Sequence, residues 1–248
     1  MKLYISRKLN NTAKVLIESS FYSIPIPNIN GEDLWLSNSP IVFKNVIDAG
    51  ANRGDCTASL LSIRNEVEKV VLIEPNRDRI IDLKNRFANE PRSIIINSAL
   101  DYREDNLILS FNKESDTHAS LSTASWKRNT VDTCMQNTST TSIDKIITSL
   151  PFEKIDLLKL DLEGFDHYAL LGARKALTDM QIRVIQFEVT RSWEESSASP
   201  CATFRLLNSY GFEIHHIRNN ELFRLSSVDQ LPHFSLYSNF CAIHKSNL

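Results

Sequence analysis

Neither sign of charge dominates this sequence. Its 28 Lys plus Arg are set against 30 Asp plus Glu, a net charge of -2, which removes any general electrostatic reason to bind nucleic acid or an anionic membrane surface. No stretch approaches the roughly 18 consecutive apolar residues of a membrane span. The N-terminus also lacks a compact apolar core followed by a small-residue cleavage site, so the expectation is a cytoplasmic protein with no membrane span and no nucleic-acid partner. Cysteine is sparse and scattered. Cys56, Cys134, Cys201 and Cys241 form no C-x-x-C pair, which fits neither a disulfide framework nor a zinc cluster and leaves buried thiols as the expectation. Internal repeats and low-complexity tracts are also missing. What is present is the composition of an ordinary folded chain, 248 residues with 42% hydrophobic and 23% charged, enough for one domain and an appendage.

The first 44 residues differ in character from the rest. Leu9, Ala13, Leu16, Ile17 and Phe21 fall at helical spacing, which predicts an amphipathic helix over residues 7–20, stopped before Pro25 and Pro27. This helical appendage (1–44) precedes a domain spanning 45–248. From Val46 onward short apolar runs alternate with amphipathic helices, the pattern of a mostly parallel sheet with helices on both faces. Strands are predicted at 45–49, 69–73, 93–97, 155–161 and 183–189, all short and rich in β-branched residues. Helices are predicted at 55–64, 77–89, 142–149 (with Ser142 as its cap), 165–178 and 201–210, the last stopped by Gly211. Late strands at 212–217 and 236–244 suit an antiparallel edge. An insertion at about 107–137 interrupts the alternation, with strands at 107–111 and 130–135 around a long polar stretch that is either mobile or a binding loop.

Chemistry concentrates at the strand ends. VIDAGANRGDCT, residues 46–57, runs a strand through a Gly-x-x-x-Gly turn into a helix. Gly50 and Gly54 permit positive φ and close backbone approach, and the helix start offers free N–H groups. A dinucleotide site would show G-x-G-x-x-G, and Asp48 would repel a pyrophosphate. The same carboxylate suits a ligand bearing ammonium and sulfonium charges, as S-adenosylmethionine (SAM) does. Glu74, in LIEPN, stands where an acidic residue grips a ribose diol, while Asn97, Ala99 and Leu100 close the third strand, where an adenine would lie. In LLKLDLEGFDHYALLGA, residues 157–173, Lys159, Asp161 and Glu163 occupy alternate positions just before Gly164. Three charges on a central strand belong near its C-terminal exit, where open α/β sheets bind ligands. Glu188 ends the next strand, and Asp161 with Glu188 could hold Mg²⁺; the preferred alternative is an acidic rim facing the cofactor's amino group or structural backbone.

DAGANRGD, IEPN, NSAL, the TSIDKI helix start and above all KLDLEGFDHYALLGA resemble the FkbM family of SAM-dependent methyltransferases, over residues 46–189. The resemblance implies a Rossmann-like class I methyltransferase fold: α/β, a mostly parallel seven-stranded sheet with a reversed final strand. It implies methyl transfer to a hydroxyl of a sugar, glycan or natural-product small molecule. It maps Asp48, Gly50, Asn52 and Gly54 to the cofactor's methionine end, Glu74 to the ribose, Ala99 to the adenine region, and Asp161 with Glu163 to the reaction centre; Ala51, Pro75, Asn97 and Asp161 are further expected cofactor contacts. The family often carries Glu where this chain has Asp166.

Methyl transfer asks the protein to align a nucleophile and help remove a proton. Candidate bases are Asp161, Glu163 and His118, the last in the polar insertion. His215 and His216 point to opposite faces of a late strand and make a poor metal pair. Trp193 reads either as a wall for a sugar ring or as a core residue. The rival readings are a nucleoside-cofactor dehydrogenase, disfavoured by the missing third glycine and by Asp48, and a non-enzymatic scaffold on the same fold. A nucleic-acid methyltransferase is disfavoured by the lack of an N/D-P-P-Y/F motif and of basic excess.

Overall fold

The computed structural model describes residues 31–112, 119–122, 133–190, 192–218, 221–226 and 238–247. The predicted helix 7–20 and His118 lie outside these. Helix α1 (Gly31–Asn38) leads into β1 (Asn45–Ala49), α2 (Asp55–Ile63), β2 (Lys69–Ile73), α3 (Arg77–Arg86) and β3 (Ser93–Ile96). Next come β4 (Ala99–Leu100), β5 (Asn106–Asn112), β6 (Ala119–Ser122), β7 (Thr133–Thr141) and α4 (Ile143–Ser149). The second half holds β8 (Ile155–Leu160), α5 (Asp166–Leu171), α6 (Arg174–Thr178), β9 (Ile182–Val189), α7 (Ser192–Glu195) and α8 (Pro200–Ser209). It closes with β10 (Phe212–Arg218), β11 (Glu221–Arg224) and β12 (Ser238–His244).

The main sheet has the order β11-β10-β12-β9-β8-β1-β2-β3. β9, β8, β1, β2 and β3 are parallel, and β12 runs antiparallel between β9 and β10. Parallel neighbours need crossovers, and the helices between them supply these. The sheet has eight strands where seven were expected, because β11 folds back on β10 as a hairpin. The late strands form the expected antiparallel edge, with the last strand on its inner side. That strand slots beside β9, where Phe240 and Ala242 join the core that an edge position would expose. The expected helix over 165–178 breaks in two around Gly172. There a Cβ would stand 2.9 Å from the Asp101 carbonyl oxygen, so the connection before β5 packs directly on the helix. The insertion forms a second sheet, β4-β7-β5-β6, joined to the main body through β4.

Both faces of the main sheet are covered. Ile47, Val71, Leu158, Ile185 and Phe187 face α4, α5, α6 and α8, while Val46, Val70, Leu72, Leu157 and Val184 face α1, α2 and α3. Trp35, Leu36 and Phe43 are buried in the second layer, so the core begins ahead of residue 45. Of the cysteines only Cys241 is fully buried; Cys56, Cys134 and Cys201 are half-buried free thiols, which corrects the expectation for those three. Among the described residues no helix is long and apolar enough to cross a membrane.

Candidate active site

The parallel strands all end on one side of the sheet, and the turns that leave them form the site. After β1 the chain makes a turn that only certain residues tolerate. Gly50 has φ +81° and Gly54 φ +76°, with Asn52 between them also left-handed at φ 47°. A Cβ on Gly50 would stand 2.0 Å from the Asp161 carbonyl oxygen, and one on Gly54 would stand 2.4 Å from the Phe87 ring. Gly50 therefore lets the turn after β1 lie against the turn after β8, and Gly54 lets α2 start against α3. Gly50 and Ala51 both donate to the Ile73 carbonyl, at 2.9 and 3.1 Å. Asp48, one residue before the strand ends, is only 2% exposed. Its Oδ2 accepts a 2.6 Å hydrogen bond from the Thr57 hydroxyl, whereas its Oδ1 is buried without a partner.

Glu74 follows β2 and is 5% exposed. One carboxylate oxygen accepts from the Asn52 backbone N–H at 2.9 Å and the other from that of Asn76 at 2.8 Å. Burial pushes its carboxyl above the usual carboxylate range, against the pull of those two N–H groups. Asn97, expected in the adenine region, is tied to the Glu74 turn. Its side-chain amide donates to the Glu74 and Pro75 carbonyls at 2.9 and 3.0 Å, so it braces the Glu74 turn. The Pro75 carbonyl also accepts from Gln136 of β7. Ala99 stands beyond β3, at the start of β4, packed with Leu107, Leu109 and Phe165.

The turn after β8 departs most from the expected alternation. β8 stops at Leu160, and Glu163 sits in a left-handed turn with φ 50°, next to Gly164 at φ 89°. Lys159, Asp161 and Glu163 therefore do not continue along one strand face. Asp161 keeps its side chain 41% exposed and meets the buried Lys159 ammonium at 3.3 Å. The Glu163 carboxylate accepts a 2.7 Å bond from the Ser192 hydroxyl. Ser192 also explains Gly164, since a Cβ there would come 2.6 Å from the Ser192 carbonyl oxygen. Asp166, at the start of α5, is 1% exposed and finds no donor in hydrogen-bonding geometry for either oxygen. Burial, helped by the charge of Asp161, pushes its carboxyl up to about 8; nearby backbone N–H groups and Lys159 pull only partly the other way. The sequence marked Asp166 only as a variant of a motif, because its burial depends on α5 folding back over the sheet.

Strand register adds residues that the sequence kept apart. Lys159 pairs with Gln186, and Glu188 pairs with Asn239 of β12. Asp161 lies one residue past the last paired rung of β8 and β9. Lys159, Gln186, Glu188 and Asn239 share the face that carries Leu157, Val184 and Cys241 lower down. Three neighbouring strand ends so form a polar shelf, and the Asn239 amide oxygen on it is buried without a partner. The opposite face stays apolar, with Leu160, Phe187, Val189 and Phe240. Trp193 belongs to that core, 2% exposed, its indole N–H donating to the Glu188 carbonyl at 2.8 Å. Among the described residues no group of three or more His, Cys, Asp or Glu is placed to hold a metal ion. The Mg²⁺ expectation thus finds no support, and Asp161 instead pairs with Lys159.

The residues at the ends of β1 and β2 fit SAM. A buried carboxylate oxygen lacking any donor, Asp48 Oδ1, accommodates a cation, and the fixed Glu74 carboxylate retains acceptor capacity for ribose hydroxyls. No curated protein sequence matches the chain. Among solved structures it is similar to methyltransferase FkbM from Methylobacillus flagellatus KT, at 17% identity and TM-score 0.52 over 81% of this chain; it spans 43% of that longer chain. It is also similar to N-methyltransferase NodS from Bradyrhizobium japonicum WM9, at 12% identity and TM-score 0.44 over 85% of this chain and 90% of that one. The fibrillarin pre-rRNA processing protein of Methanococcus jannaschii aligns at 14% identity and TM-score 0.46 over 83% of this chain and 68% of that one. The likeness to the first of these concerns the fold alone. Residues 48–214 match the methyltransferase FkbM domain, a stretch that runs from Asp48 through both glycines, Glu74, Asp161 and Glu188, and the chain therefore belongs to the FkbM family of SAM-dependent methyltransferases.

Proposed function

We propose that the protein transfers the methyl group of SAM to a hydroxyl of a neutral, polyhydroxylated small molecule or glycan. Asp48, Ala51, Asn52 and Glu74 would hold the cofactor, which supplies an electrophilic methyl group when bound. Asp161, half-exposed beside them, would accept the hydroxyl proton. Lys159 fixes that carboxylate from below and stabilises its charge. Glu163, held by Ser192, shapes the turn that presents Asp161.

The observation that carries the acceptor class is the polar shelf after β8, β9 and β12. Asp161, Glu188 and the amide of Asn239 gather hydrogen-bond acceptors for substrate hydroxyls at neighbouring strand ends, and Lys159 holds Asp161 in place. A phosphate-bearing acceptor would be brought against the Asp161 and Glu188 carboxylates there.

The test is methyl transfer from radiolabelled SAM to a panel of sugars, glycans, hydroxylated polyketides, small amines and transfer RNA. Labelled sugar or polyketide, lost in Asp161→Asn and weakened in Asn239→Ala, is the expected result. Label in RNA or amines alone would overturn the acceptor class. SAM binding with no transfer to any acceptor would instead favour a binding scaffold.

A further inference from the structure

Thr57 lies outside the residues assigned above to cofactor or acceptor, yet it pairs with Asp48, which is among them. Thr57 is the third residue of α2, and its side chain is fully buried. A threonine inside a helix can return its hydroxyl to the backbone carbonyl four residues earlier, which for Thr57 is that of Arg53, just ahead of the helix. That carbonyl already accepts from the Arg86 guanidinium at 2.7 Å. The Thr57 hydroxyl instead crosses to β1 and donates to Asp48 Oδ2 at 2.6 Å.

The consequence is an asymmetric carboxylate. One oxygen is held by a neutral donor, and the other, Oδ1, is buried with no donor at all. A buried carboxylate oxygen left this way is costly for a folded protein by itself. The register partners of Asp48 are Leu72 on β2 and Lys159 on β8. Leu72 is apolar, and the Lys159 ammonium reaches Asp161. A hydroxyl fixes the Asp48 side chain without cancelling its charge, as a lysine or arginine in the place of Thr57 would.

We propose that Thr57 is a positioning residue for the cofactor's amino-acid end: by holding Oδ2 it fixes the Asp48 carboxylate with Oδ1 committed to the ligand's ammonium group. This rests on the SAM reading. It makes a distinction that a purely structural threonine would not, because a nucleoside that lacks the amino-acid end does not use Oδ1.

The experiment is calorimetric titration of the full chain with SAM and, separately, with methylthioadenosine, which keeps the adenosine and loses the ammonium. Thr57→Val is expected to weaken SAM about tenfold or more while leaving methylthioadenosine within about twofold, and Thr57→Ser to restore SAM binding. In an Asp48→Asn background, Thr57→Val should cost SAM little more, since the charge that it orients is gone. Equal weakening of both ligands, or none, would overturn the proposal. If Thr57→Val does not fold, Thr57→Ala is put through the same two titrations. Failure of the wild-type chain to bind either ligand is a separate result. It would remove the SAM reading itself and this proposal with it.

Discussion

Gly50 and Asp161 are in backbone contact so close that no side chain fits between them: a Cβ on Gly50 would lie 2.0 Å from the Asp161 carbonyl oxygen. The contact is made by turns more than a hundred residues apart in sequence, and it locks the turn after β1 to the turn after β8. The Asp161 N–H completes the joint by donating to the Ala49 carbonyl at 3.0 Å. Gly50→Ala therefore meets both an unfavourable φ and a backbone collision, and should cost about 3 kcal/mol or more. The expected outcome is a lower thermal midpoint together with lost SAM binding. An unchanged midpoint would show that the two turns are not tightly joined.

Glu74→Ala removes the acceptor of two backbone N–H groups, those of Asn52 and Asn76. SAM and methylthioadenosine should weaken together, each by about tenfold or more, because both carry the ribose. The raised carboxyl of Glu74 adds a pH signature. Proton uptake removes acceptor capacity, so wild-type affinity should fall on acidification at a higher pH than an ordinary carboxylate would cause. Calorimetry across a pH series reads both effects, and an affinity indifferent to acid would exclude Glu74 from the ribose.

Asp166 predicts the direction of a stability profile. Its carboxyl is pushed from the usual carboxylate value up to about 8, so the folded chain holds a proton that the unfolded chain releases in between. The stability this group contributes is fully present below the unfolded pKa and is lost as pH rises through about 8. The wild-type thermal midpoint should then drop by several degrees between about pH 6 and pH 9, beyond the change seen in Asp166→Asn, which mimics the neutral form. Parallel profiles for the two proteins would mean that Asp166 is ionised and partnered.

Asp161 and Glu163 can be separated by kinetics. Asp161→Asn should lower kcat about a hundredfold or more, the usual worth of a positioned base. Glu163→Gln can still accept from the Ser192 hydroxyl and should keep kcat within about threefold. A large kcat loss in Glu163→Gln with an intact fold would move the base from Asp161 to Glu163.

The element types and the turns that carry Asp48, the two glycines and Glu74 were readable in the sequence because their signals are local. Apolar runs such as KVVLI fix a strand whatever it pairs with, Ser142 caps its helix by accepting from the Lys145 N–H three residues on, and Gly50 and Gly54 serve turns that few other residues tolerate. Glu74 was legible for the same reason, lying one residue past the end of such a strand. Beyond these, the decisive contacts join distant segments. Nothing near residue 239 announces that β12 enters between β9 and β10 and brings Asn239 beside Glu188. That order follows from burying Phe240 and Ala242 in the core, a long-range gain that no local pattern encodes. The alternation of charges misled at Glu163, because Ser192, packed on Gly164 from another element, favours a left-handed turn over a continued strand. The sequence alone determined which residue types stand at the strand ends, since periodicity and turn chemistry act between near neighbours. Only the tertiary structure decided which carboxylates are buried, held or open, because burial and hydrogen-bond partners come from segments that meet when the sheet closes.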